Sequence, residues 1–224
     1  MEVVVKNTMK FRISELFCPH YCISCGKIGG ILCKCCKKYI LDERKLKCLN
    51  CGAELENNVC QKCDALPCRQ FYAGARKGTL KALINAYKYK SVRACSVALA
   101  ELLAEFIDVE KAAIVPLPTI GKHVRDRGFD HTAILARKLA KMKSWEYAPI
   151  LTRVNNSVQV GASTEKRKVQ ARQAYAVDGE LDPNKTYILL DDVWTTGSSM
   201  LAAYEKIFQA GARKIVIVVI AKSG

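Results

Sequence analysis

Residues Tyr187–Ser199 read YILLDDVWTTGSS, and this segment decides how the rest of the chain is interpreted. The apolar run Tyr187–Leu190 predicts a buried strand that ends just before two acids, Asp191 and Asp192. A small, hydroxyl-rich turn follows and opens a predicted helix over Gly197–Gly211. Backbone N–H groups in such a turn, together with the helix dipole, attract an anion.

The segment therefore predicts a phosphate site at the end of a strand. Gly197 lets the main chain close around a phosphate, and the acid pair stands where ribose hydroxyls or a hydrated Mg2+ would lie. The alternative is an ordinary capped helix, which requires neither two adjacent acids nor four hydroxyl side chains. The candidate catalytic residues are Asp191 and Asp192, and the candidate ligand-binding residues are Asp191, Asp192, Thr195, Thr196, Gly197, Ser198 and Ser199.

Strand and helix patterns alternate from residue 72 onward. Helices are predicted near Leu80–Tyr89, Val97–Ile107, Phe129–Met142 and Gly197–Gly211, and strands at Ala112–Leu117, Tyr147–Leu151, Tyr187–Leu190 and 214–220. The buried β-branched runs favour a parallel sheet, so the predicted fold class is α/β with helices flanking the sheet. The polar stretch Arg153–Arg172 is interpreted as a long mobile loop, with an exposed helix over part of it as the alternative.

Eleven of the twelve cysteines precede residue 70, and eight of them form two four-cysteine sets. The sets are Cys22, Cys25, Cys33, Cys36 and Cys48, Cys51, Cys60, Cys63. Each set offers four thiolates from two tight turns, which is the tetrahedral shell that structural zinc prefers. Gly26 and Gly52 follow the first turn of each set and permit its tight backbone. We therefore expect two structural Zn2+ ions.

Other uses of the cysteines remain open. An iron–sulfur cluster or a redox dithiol is an alternative, although the compact cysteine run of a ferredoxin is missing. A cross-braced arrangement, first pair with third and second with fourth, is an alternative to sequential zinc sites. Cys18, Cys35, Cys68 and Cys95 are left over, with Cys35 a substitute ligand and Cys95 a buried thiol. His20 lies beside the cysteines as a spare ligand candidate.

The net charge of +15, from 36 Lys and Arg against 21 Asp and Glu, favours polyanionic partners such as nucleic acid or phosphate compounds. A basic surface that serves solubility is the alternative. The longest apolar run, Ile215–Ala221, is far too short to cross a bilayer. The N-terminus shows no charged leader followed by a long apolar stretch, so we expect a cytoplasmic protein.

Three further segments carry the pattern over almost the whole chain from Cys22. They are Val115–Pro118 followed by Arg125–His131; Tyr72 and a helix ending in Lys88-Tyr89; and Arg153 and Gln159 followed by Arg167 and Tyr175. The acid-pair segment resembles the 5-phosphoribosyl 1-pyrophosphate (PRPP) signature of type I phosphoribosyltransferases. With the cysteine sets, the chain resembles the ComF (ComFC) competence family.

The resemblance implies a type I phosphoribosyltransferase-like parallel sheet over 72–224 and a small double zinc-ribbon lobe over 18–68. It implies a DNA-uptake accessory protein for natural transformation that binds single-stranded DNA and PRPP with Mg2+. A DNA-uptake helicase would be a partner, and the protein would work in the cytoplasm at the inner face of the membrane. The alternative is a metabolic phosphoribosyltransferase that transfers ribose 5-phosphate from PRPP to a base or an amine.

The resemblance also places the pyrophosphate loop at Thr119–Arg127 and a closing loop at Asn155–Arg172. The basic run Lys166–Lys168 would meet pyrophosphate or DNA phosphates, against the alternative of a solvated charge run. The family usually has Asn-Gln where this chain has Asp130-His131, and Asn where it has Gln170, so no role is carried over to them.

The remaining histidines and tryptophans yield weaker predictions. His123 and His131 are expected to be surface residues without a chemical role. Trp145 and Trp194 are candidates for stacking on a base, with Trp194 the better of the two and core packing the alternative.

Overall fold

A parallel sheet forms the centre of the protein in a computed structural model that describes residues 20–90, 92–154 and 174–223. In chain order its elements are α1 (Lys34–Asp42), β1 (Leu55–Glu56), β2 (Val59–Cys60), β3 (Arg69–Ala75), α2 (Gly78–Tyr89), α3 (Cys95–Ala104), β4 (Ala113–Pro116), α4 (Gly121–Arg127), α5 (His131–Lys143), β5 (Glu146–Tyr147), β6 (Leu151–Arg153), β7 (Tyr175–Val177), β8 (Thr186–Trp194), α6 (Ser198–Gln209) and β9 (Lys214–Lys222). The sheet has the order β3-β9-β8-β4-β5, and all its strands are parallel.

Helices cover both faces of the sheet, because the central strands are apolar on both sides. Helices α2, α3 and α5 pack against one face, where Ile188 and Leu190 of β8 are buried. Helix α6 packs against the other face, where Leu189 lies. The predicted α/β class, a parallel sheet flanked by helices, is therefore confirmed.

Several predicted boundaries are wrong. Strand β8 does not end at Leu190 but continues through both acids to Trp194, because it pairs with β9 as far as Lys222. The stretch Thr119–Arg127, predicted as a loop, contains helix α4. The predicted strand Tyr147–Leu151 is replaced by two short strands, β5 and β6, which belong to different sheets. Helix α1 and edge strand β3 were not predicted.

The two cysteine sets come together as the sequence predicts, each within itself. In each set the four Sγ atoms lie within 4.8 Å of one another, in the sequential pairing. Cys25 and Cys33 Sγ are 3.6 Å apart, as are Cys51 and Cys60 Sγ. A tetrahedral zinc–sulfur shell with bonds of about 2.3 Å has S···S edges of about 3.8 Å, so both sets fit Zn2+.

Backbone geometry supports the same assignment. Gly26 and Gly52 have φ of +72° and +76°, which the tight turn after each first cysteine pair requires. The N–H groups of Cys33 and Lys62 donate to Cys22 and Cys60 Sγ at 3.4 Å. Such N–H···S bonds favour the thiolate form that binds a metal.

The second cysteine set is fastened to the sheet through β3. The Leu49 N–H donates to Gln70 Oε1 at 2.9 Å, and the Lys47 N–H donates to the Tyr72 hydroxyl at 2.8 Å. Leu49 and Leu66 are buried in the apolar cluster that also contains the core of α6. The division into a lobe at 18–68 and a domain at 72–224 stays a prediction. The hydrogen bond from the Lys47 N–H to the Tyr72 hydroxyl crosses the predicted boundary.

None of the helices within residues 20–90, 92–154 and 174–223 combines the length and apolarity needed to span a bilayer.

We expect Cys51→Ser to remove one of two bound zinc ions and to lower the free energy of unfolding by more than about 2 kcal/mol, because metal binding and folding are coupled. Elemental analysis and thermal unfolding measure both effects. Cys35→Ser is the matched control, since Cys35 is exposed and lies outside both four-cysteine groups. A wild-type protein purified without chelator that holds no zinc would contradict the assignment.

Candidate functional site

The carboxyl ends of β4 and β8 open into a cleft of about 560 Å3. Open parallel sheets bind ligands at this edge, because the strand ends and the loops that follow them create a crevice. Its lining residues include Lys88, Tyr89, Leu117, Thr119, His123, Arg127, His131, Arg153, Tyr175, Asp191, Asp192 and Ser199. Both predicted acids therefore face the cleft.

A second, smaller cavity of about 60 Å3 lies in the turn between β8 and α6. Thr195, Thr196, Ser198 and Ser199 line it and are exposed, so their hydroxyl groups are accessible. Helix α6 begins at Ser198, and its first N–H groups have no intrahelical acceptor. The turn for which phosphate binding is predicted thus borders a cavity lined by hydroxyl side chains, next to a helix N-terminus.

Gly197 is required by the shape of this turn. Its φ is +75°, and a Cβ built there would lie 2.1 Å from Trp194 Cζ2. Trp194 is only 3% exposed and packs beneath the turn, so it supports the backbone from the core side. Core packing, rather than stacking on a base, is the role that this burial permits.

The two cavities adjoin, because Asp191 and Ser199 line both of them. A ligand with a phosphate at one end can therefore occupy the small cavity and extend past the acid pair into the larger cleft.

The two acids face different surroundings, because neighbouring residues of a strand point to opposite sides of the sheet. Asp192 lies on the face that carries Ile188 and Leu190, and it is only 6% exposed. Its Oδ2 contacts Lys88 Nζ from the end of α2 and His131 Nε2 from the start of α5. Asp192 is thus a buried carboxylate held by two nitrogen groups.

His131 is fixed from its other side by Arg127. Arg127 Nη1 and His131 Nδ1 are 3.0 Å apart, and a guanidinium can donate hydrogen bonds but cannot accept one. Arginine must therefore donate to Nδ1, which leaves Nε2 to carry the proton that it donates to Asp192. Arg127, His131 and Asp192 thus form a connected series of contacts, and all three side chains line the cleft.

The contacts drive the pKa values of the two acids apart. Burial and the charge of Asp192 raise the pKa of Asp191 well above its ordinary value. Burial alone would raise the pKa of Asp192 as well, but the His131 hydrogen bond and the Lys88 charge hold it below its ordinary value. Near neutral pH the pair therefore carries less than its formal charge of two.

The prediction that His131 is a surface residue is wrong: it is 5% exposed and contacts Asp192. A signal was present, since His131 shares a helical face with Leu135 and Leu139, four and eight residues later, both of which are buried. A histidine on such a face needs a polar partner inside. The long-range pairing to Lys88 had no local signal.

The residues of the acid pair do not fit a directly bound Mg2+. Asp192 Oδ2 already accepts from two donors, which uses both of its lone-pair positions. Mg2+ demands close, nearly octahedral oxygen ligands, and the ammonium group of Lys88 already lies against Asp192 Oδ2. The predicted Mg2+ contact of Asp191 and Asp192 therefore finds no support in their geometry.

The opposite wall of the cleft comes from β6 and β7. Arg153 Nη1 donates to the Tyr175 hydroxyl at 3.2 Å, and both side chains line the cleft. Burial raises the pKa of Tyr175, so its hydroxyl stays protonated.

Asp130 caps α5 by accepting from the Ala133 N–H, and also accepts from the Thr119 hydroxyl, each at 3.0 Å.

The other predicted residues have simpler positions. His123 is exposed at the cleft, and Trp145 is buried with its Nε1 donating to the Val109 carbonyl. Cys68 and Cys95 are buried thiols whose pKa values burial raises to about 12 and about 11. His20 belongs to neither cysteine group. Predictions for Cys18, Gln159, Lys166–Lys168, Gln170 and the closing loop Asn155–Arg172 lie outside the described residues.

Comparisons with known proteins identify no family. No protein-family model matches the chain, and a search of curated protein sequences gives no significant match. Among solved structures, the chain is similar to one described as the allosteric regulatory enzyme of purine biosynthesis, with 17% identity and a TM-score of 0.40. The match covers 55% of this chain and 25% of that one, so it spans a quarter of that enzyme's length.

Proposed function

We propose that the cleft binds a ribose 5-phosphate group, carried by PRPP or a related phosphoribosyl compound. The observation that supports this most is that the small cavity of the turn and the larger cleft adjoin at Asp191 and Ser199. The 5-phosphate would occupy the turn, where hydroxyls and the first N–H groups of α6 offer donors. The ribose hydroxyls would donate to the acid pair.

Cations around the larger cleft suit a second phosphate group on the same ligand. Arg127 and Arg153 line it, and α4 adds the exposed Lys122 and Arg125 on the neighbouring surface. Charge of this kind stabilises a pyrophosphate, which is why PRPP is proposed ahead of a sugar monophosphate.

We expect Ser198→Asp to weaken binding of ribose 5-phosphate by about a hundredfold, because its carboxylate would face the phosphate across the small cavity. A carboxylate in the first turn of α6 interacts favourably with the helix dipole, so the fold should remain intact. Isothermal titration calorimetry measures the affinity, and circular dichroism checks the fold.

Two controls make this test specific. Ser198→Ala removes one hydroxyl and should cost less than about tenfold, the scale of a single neutral hydrogen bond. Asp178→Asn alters an exposed acid outside the cleft lining and should change nothing. If Ser198→Asp binds ribose 5-phosphate with wild-type affinity, the phosphate group does not bind in this turn.

We further propose that the protein handles single-stranded DNA as a DNA-uptake accessory of the ComF type. The support is the net charge of +15 together with the exposed cations of α4 beside the cleft. DNA phosphates would lie along α4, while the phosphoribosyl ligand occupies the cleft. The run Lys166–Lys168 is proposed for the same role from its sequence alone.

Binding of single-stranded DNA should weaken with salt, with log K falling by about 0.7 per phosphate contact per unit of log salt concentration, or about 3 in all for four or five contacts. Replacing Lys122 and Arg125 together by glutamine should reduce that slope by about 1.4, which is two contacts at about 0.7 each. Fluorescence anisotropy at several salt concentrations measures it.

The matched control replaces Lys111 and Lys214, which are exposed and line another pocket at the opposite end of the sheet. This pair changes the net charge by the same amount and should leave the slope unaltered. An unchanged slope in the α4 variant would exclude α4 as the footprint. Failure of the wild type to bind DNA at low salt would favour the metabolic transferase.

A further inference from the structure

Asp192 is the most enclosed charged group of the cleft, and its partners come from the protein itself. Lys88 Nζ and His131 Nε2 both contact Oδ2, and the Lys88 and Asp192 side chains are 14% and 9% exposed. Oδ2 therefore has no position left for a metal ion. Within residues 20–90, 92–154 and 174–223, Oδ1 has no ion pair of this kind and is the oxygen that a ligand hydroxyl would reach.

Lys88 offsets the charge of Asp192 without a metal. His131 reaches the same oxygen, and Arg127 holds its ring from the other side. A divalent ion at this place would have to displace Lys88 or lie against its ammonium group.

We propose that Lys88 is a built-in cation that replaces a divalent metal at Asp192, so that the cleft binds ribose 5-phosphate without Mg2+ on the acid pair. The inference rests on the proposed function, since it concerns how the same site holds the ribose. Lys88 is a positioning residue: it fixes Asp192 so that Oδ1 faces a ribose hydroxyl. His131 serves the same end from the opposite side.

The position of Lys88 at the last turn of α2 makes this arrangement possible. Lys88 follows the buried Tyr87, whose hydroxyl donates to the His131 carbonyl at 2.7 Å. That bond joins the end of α2 to the start of α5, the two segments that deliver Lys88 and His131. Both nitrogens are therefore placed on Asp192 by packing before any ligand arrives.

Ribose 5-phosphate is the appropriate probe, because it lacks the pyrophosphate through which PRPP itself would chelate Mg2+. Its affinity for the full chain is measured by calorimetry in EDTA and in millimolar Mg2+, after confirmation that the zinc content is unchanged. For the wild type we expect the two dissociation constants to agree within about twofold. Binding that requires Mg2+ would overturn the inference and leave the proposed function standing.

Substitution of Lys88 provides the second arm. Lys88→Gln should bind about tenfold or more weakly in EDTA, and Mg2+ should restore part of the loss because Asp192 then lacks its cation. Lys88→Arg keeps the charge and should remain independent of Mg2+. Lys81→Gln, an exposed lysine on the same helix, is the matched control and should match the wild type.

The outcomes separate the two proposals. If the wild type binds ribose 5-phosphate in neither buffer, the proposed function fails and the inference with it. If Lys88→Gln binds as tightly as the wild type in EDTA, or loses affinity without any response to Mg2+, Lys88 does not replace a metal. If Lys88→Gln lost affinity only because its fold was damaged, added Mg2+ would not restore binding. Conservative replacement would not rescue such a loss either, so the affinity of Lys88→Arg distinguishes that case.

Discussion

A carboxylate buried at the end of a central strand is the constraint on which the cleft depends. Asp192 must be compensated, since an unpaired buried charge is strongly destabilising. The contacts from Lys88 and His131 meet that need, and they also tie the ends of α2 and α5 to strand β8. The group that holds the cleft together is therefore also a group that the proposed ligand would use.

The other end of the site depends on backbone shape rather than charge. Gly197 turns the chain with a positive φ over the buried ring of Trp194, and α6 begins directly afterwards. The exposed hydroxyls then border a cavity whose wall is made by a helix N-terminus. Charge compensation and turn geometry thus produce adjoining halves of one site, with Asp191 between them.

Sequence was sufficient for features that depend on local order along the chain. The two cysteine sets, the start of the helix after the hydroxyl-rich turn and the parallel sheet all follow from spacing and apolar runs. What it missed depends on distant pairing: Lys88 and Asp192 are brought together only by packing of α2 on the sheet. The end of β8 was misjudged because pairing with β9, rather than local polarity, decides where that strand stops.

The central claim is that the cleft holds a ribose 5-phosphate group with its phosphate in the turn. A crystal structure of the zinc-loaded chain with ribose 5-phosphate, grown in EDTA-treated buffer, tests it most directly. The account predicts phosphate oxygens within hydrogen-bonding distance of the backbone N–H groups of residues 195–199 and a ribose hydroxyl on Asp192, with Lys88 still in contact. Phosphate density elsewhere, with the turn empty, would contradict it.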